Sequence, residues 1–145
     1  MSNPHRKPRR NKRFESRFKR RTPLMGRSCD RISLDMHLAL ARLFHMPTTD
    51  ARDDLADTLN VISICIQGDR RFVEEQTVLE QAAAVLHPYR APVPLGDEAR
   101  HVLAHMASVI DTILGLLDWE TLCASEQAYV DAVKAARTNS GGVQL

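Results

Sequence analysis

Aromatic side chains are scarce in this chain: one Trp, two Tyr and four Phe make up 5% of the residues, so any core must rest chiefly on aliphatic side chains. Cysteine is scarce too. Cys29, Cys65 and Cys123 are far apart, odd in number and form no CxxC pair, which argues against both a disulfide framework and a thiolate zinc site. A reducing cytoplasm suits such a chain. No stretch reaches the ~18 uninterrupted apolar residues of a membrane span, and the first residues are too charged for the apolar core of a secretory signal. The expectation is a soluble, unexported, cytoplasmic protein without a membrane partner. An Arg-rich start could mimic an organelle transit peptide, but those are richer in Ser and Ala. Also missing are a Gly-rich phosphate loop, a nucleophile elbow and a legible Ser/His/Asp arrangement, so no catalytic nucleophile is identified. The chain does not read as an enzyme, and no cofactor is implied.

Acidic residues are almost absent from the first 22 positions, where Glu15 stands alone against ten cations: Arg6, Lys7, Arg9, Arg10, Lys12, Arg13, Arg17, Lys19, Arg20 and Arg21. That segment is +9, and taking it from the whole-chain +2 leaves −7 for residues 23–145. Pro4 and Pro8 oppose a helix at the start, and the run is too charged and too poor in apolar groups to offset the entropy of ordering it alone. Residues 1–26 are therefore expected to form a disordered basic arm and linker. Dense cations release counterions when they meet phosphates, and guanidinium forks grip phosphate bidentately and stack on bases. Nucleic acid, DNA or RNA, is the expected ligand. Phe14 and Phe18, four apart within the run, would share one face of a helix formed on contact and could stack on unpaired bases or dock on a partner protein. Competing readings are a solubility tail, an anionic membrane surface, or an arm that folds back on its own acidic domain.

Beyond the linker, apolar residues recur at helical spacing and no window alternates with the period of a strand. Asp30 or Ser33 is placed to cap a first helix carrying Leu34, Leu38, Leu40, Ala41, Leu43 and Phe44 to a stop at Pro47. Thr48 or Thr49 caps a second, with Asp50, Asp53 and Asp54 near its positive end and Leu55, Leu59, Ile62 and Ile66 on one face; Gly68 ends it. A third starts near Asp69 and presents Phe72, Gln76, Leu79, Ala83 and Leu86 before His87 and Pro88 break it. After the proline-rich stretch Pro88 to Gly96, Asp97 is placed to cap a fourth helix with Val102, Met106, Val109, Ile113 and Leu117 in register. A break is expected between Gly115 and Trp119, with a restart at Ser125. Trp119 and Tyr129 look like packing anchors that close the bundle. The expectation is an all-α domain, a bundle of four or five helices over residues 27–137, followed by a disordered tail, 138–145.

Three constellations invite chemistry. Glu98, His101 and His105 occupy neighbouring turns of the fourth helix and form a weak candidate metal site, the basis of a remote reading as a small metal-dependent hydrolase. No other acidic residue lies three before a histidine, so a di-iron bundle lacks its second half. Asp53, Asp54 and Asp57 read DDxxD, a magnesium–diphosphate pattern, but no second acidic motif accompanies it and helix-start electrostatics accounts for them. His37 and His45, eight apart, are poorly spaced to chelate.

The basic start, KPRRNKRF, followed by a helical domain containing DARDDLADTLNVISICIQ, resembles small uncharacterised helical proteins encoded by bacteriophages and prophages of Gram-negative bacteria. The resemblance implies a phage or mobile-element setting and carries no residue roles. The sequence thus suggests a non-enzymatic accessory or regulatory protein that binds nucleic acid through its arm, with the helical domain mediating homo-oligomerisation or partner contact. The alternative is a modulator or inhibitor of a host protein acting through the acidic domain.

Overall fold

Local stop and start signals cut the chain into five helices, seen in a computed structural model that describes residues 26–141. The arm residues preceding Gly26 lie outside the described residues, as do residues 142–145. The first helix, α1 (Gly26–His45), begins before the expected caps, so Asp30 and Ser33 are inside it. Its buried face is Met36, Ala39, Leu40 and Leu43, while Leu34 and Leu38 are 58% and 53% exposed. Of the expected stripe Leu40 and Leu43 are thus buried, and Leu34 and Leu38 are not. Apolar residues surround more than half of α1, and spacing alone cannot say which of them meet a neighbour.

Thr48, in extended geometry, caps α2 (Thr49–Ile66) by accepting a hydrogen bond from the Ala51 amide at 3.1 Å. Leu55, Leu59, Ile62 and Ile66 are all buried, together with Ala51, Ala56 and Cys65. Gly68 then turns the chain at φ 73°, a left-handed conformation that a side chain would strain. Asp69 caps a short 3-10 turn, Arg70–Phe72, that delivers Phe72 into the core and leads into α3 (Val73–Leu86). Each of these two helices satisfies the other's last carbonyls: Gln76 donates to the Ile66 carbonyl, and Arg52 donates to those of Leu86 and His87.

Gly96, not Asp97, caps α4 (Asp97–Leu114), and Asp97 and Glu98 fill the first turn, where the dipole favours them. Its core face is Leu103, Met106, Ala107, Ile110, Ile113 and Leu114. Val102 and Val109, expected in the same stripe, are half-buried. The expected break falls after Leu114, but the chain restarts at Trp119 rather than Ser125, because the Asp118 carboxylate accepts from the Thr121 amide at 2.7 Å and caps α5 (Trp119–Gly141). Thr138, Asn139 and Ser140, placed in a coil tail by sequence, continue α5.

Helix α1 packs on α2 and α4, and α3 packs on α2 and α4, which closes a four-helix ring; α5 packs on the outside of α2. Neighbours are antiparallel. Ser33 reaches Asp111 at one end of the α1–α4 seam, and Arg100 reaches the Phe44 carbonyl at the other. The fold is therefore an all-helical bundle of five helices with no strand among the described residues. No helix of the described residues is long and apolar enough to cross a membrane.

Candidate functional site

The arm proposed to bind nucleic acid, Arg6 to Arg21 with Phe14 and Phe18, lies outside the described residues. What the structure defines is its point of attachment. The chain enters at the first turn of α1, the end of the bundle where α2 finishes and α5 begins, since Ile32 shares a groove with Val61 of α2 and Leu122 of α5.

A groove opens at this end of the bundle. It lies between α1, α2 and α5, about 380 Å³ in volume, with Ile32, Val61, Ile62 and Val130 as apolar floor and Asp35, Asp57 and Glu126 at its rim. It continues past Asp35 and Thr58 into a second depression that adds Leu38, Arg42 and Asp54. The groove lies where α5 packs on α2 beside α1. Leu122 and Ser125 are buried, and Tyr129 donates its hydroxyl to Asp57. Beyond that point every described side chain of α5 is exposed except half-buried Val133. Partial burial, aided by the Asp57 bond, raises the Tyr129 phenol above its ordinary value.

The DDxxD aspartates do not converge on a common point. Asp53 pairs with Arg52 at 2.9 Å, Asp54 with Arg42 at 2.8 Å, and Asp57 accepts from Tyr129. Three carboxylates each engaged by a different partner are not arranged to share a cation.

Sequence spacing put Glu98, His101 and His105 on neighbouring turns, and the structure brings only the two histidines to a common depression. His101 and His105 are exposed beside Val78 and Gln81 of α3, without Glu98. Among the described residues no group of three His, Cys, Asp or Glu side chains is gathered as a metal ion requires. Trp119 is 46% exposed, so it does not close the bundle; Tyr129 anchors α5 alone of the pair.

One polar cluster was invisible in the sequence. Ser33 donates to Asp111 Oδ1 at 2.7 Å, and His37 Nε2 meets Asp111 Oδ2 at 2.7 Å. The three residue types are those of a hydrolytic triad, but the carboxylate stands between the other two. Ser33 is held by Asp111 rather than by the imidazole, so no base is placed to take its proton. The cluster reads as a clamp joining α1 to α4. Ser33 and His37 are four apart and share a face of α1, a signal visible in the sequence, but Asp111 lies 74 residues beyond His37. Burial, with Asp30 and Asp111 adding to it, pushes the Cys29 thiol up, and burial likewise raises Cys65, so neither is a ready thiolate.

Compared with protein-family models, with curated proteins and with solved structures, the chain matches none.

Proposed function

We propose that this is a non-enzymatic accessory or regulatory protein that binds nucleic acid through Arg6–Arg21, in the phage or mobile-element setting that its resemblance implies. The observation that carries the reading is the division of charge, +9 in the first 22 residues against −7 in the rest. Helices α1–α5 then serve as an oligomerisation or partner surface.

The test is a titration of a labelled oligonucleotide with the full chain and with a version beginning at Pro23, at 50 and 200 mM salt. The full chain should lose roughly 10³-fold in affinity or more between the two salts if most of the arm's cations meet phosphates. The shortened protein should bind at least tenfold more weakly at low salt. Equal binding by both sinks the reading. Binding by neither favours the second reading, a host-protein modulator, which the acid-rimmed groove supports.

A further inference from the structure

A groove with an apolar floor and a one-signed rim calls for an occupant that is amphipathic and of opposite charge. Val130 in its lining and Leu38 in the adjoining depression are 43% and 53% exposed. Its lining holds four carboxylates, Asp35, Asp54, Asp57 and Glu126, against one cation, Arg42, which Asp54 already engages at 2.8 Å. Asp57 takes the Tyr129 hydroxyl, and Asp35 and Glu126 have no ion-pair partner among the described residues.

We propose that the occupant is the protein's own arm: the segment Phe14–Arg21 docks intramolecularly in the α1–α2–α5 groove, and nucleic acid must displace it to bind. The complementarity is specific in both respects. Phe14 and Phe18 are the only aromatics in the arm and suit the Ile32–Val61–Val130 floor. Arg13, Arg17, Lys19, Arg20 and Arg21 flank them and suit the carboxylate rim. Reach is ample. The groove from Ile32 to Leu38 begins near the arm's attachment and ends about 18 Å from Gly26 along α1, at 1.5 Å per residue. Gly26 lies twelve positions after Phe14, an extended span of up to ~40 Å, enough to reverse and run back along the helix. Tethering places the arm at an effective concentration on the order of millimolar, so even weak docking is populated. Competition with nucleic acid rests on the proposed function; docking itself does not.

The experiment compares amide spectra of the full chain at low salt with those of full-length F14A/F18A and D35N/E126Q, adding a labelled oligonucleotide in a parallel titration. In F14A/F18A the amides of Ile32, Asp35, Val61 and Val130 should shift, while those of Val78 and His105 on the opposite side stay. D35N/E126Q changes two exposed side chains, so folding is preserved, and it should bind the oligonucleotide about 3–10-fold more tightly, as releasing the arm raises the competent fraction. Groove amides indifferent to the loss of both phenylalanines overturn the proposal, whatever the oligonucleotide does. A shift that grows with protein concentration overturns it in favour of a second copy's arm. If no variant binds the oligonucleotide and the groove amides still move, docking stands and the nucleic-acid reading falls.

Discussion

Two seams of α1 show how the same residue types serve opposite ends. Along α4 the seam is shut: Ser33 and His37 clamp Asp111 at one end, while at the other Arg100 donates to the Phe44 carbonyl and lies 5.6 Å from the Phe44 ring centre. Where α1, α2 and α5 meet a groove stays open, lined by Asp35 and Glu126 together with Ile32, Val61 and Ile62. The difference comes from packing geometry. Helix α4 closes the ring, so its polar groups meet partners on α1; α5 has no place in the ring and rests on α2 at Leu122, Ser125 and Tyr129. Asp35 and Glu126, lining an open groove without an ion-pair partner among the described residues, keep their charge available, and that is what a basic partner needs.

The contrast is broken most severely through the core that closes the ring. Met106→Ala removes a fully buried side chain of α4 and should lower unfolding free energy by about 2–5 kcal/mol, whereas Leu38→Ala in the open seam should stay within about 0.5 kcal/mol, both read by urea denaturation. Equal losses would mean that Leu38 is covered in solution. Next in size is Asp111→Ala, which removes both clamp hydrogen bonds and should cost about 1–2 kcal/mol, while Glu126→Gln leaves stability unchanged. A neutral Asp111→Ala would show the α1–α4 clamp to be idle.

A smaller effect sharpens the open seam. Tyr129 has a raised pKa, so its contribution is fully present below its ordinary value near 10 and is lost as pH rises through the folded value. Thermal melts should show wild-type stability falling above pH 10 more steeply than that of Tyr129→Phe; parallel curves would remove the Asp57 bond from the account of how α5 is held. The least effect is on thiol access. Cys65, between α2 and Ser125, should react with a thiol reagent only under unfolding conditions, while half-buried Cys29 and Cys123 label in the native protein. Rapid native labelling of all three would show α5 detaching from α2.

Much of the architecture was legible where a residue acts on its own backbone. Thr48, Gly68 and the His87–Pro88 stop mark their helix ends, because capping and turn chemistry are local. The buried stripe of α2 was equally plain, since Leu55, Leu59, Ile62 and Ile66 repeat at strict helical spacing. Misplacements arose in α1 and α4, where apolar residues cover more of the helix than one partner can bury, leaving Leu34 and Leu38 outside and Val102 half-buried. Trp119, taken for a packing anchor because it falls in apolar spacing near the end of the fourth helix, stands at the first turn of the next helix and is 46% exposed.

By itself the sequence determined the charge division, the helical class and the α2 core, because charge, periodicity and capping are properties of near neighbours along the chain. Only the tertiary structure decided that Ser33, His37 and Asp111 meet, that Asp53, Asp54 and Asp57 part company, and that a groove opens beside Asp35. Those outcomes depend on how helices far apart in sequence pack, and a side chain's partner is whatever the packing brings within hydrogen-bond reach.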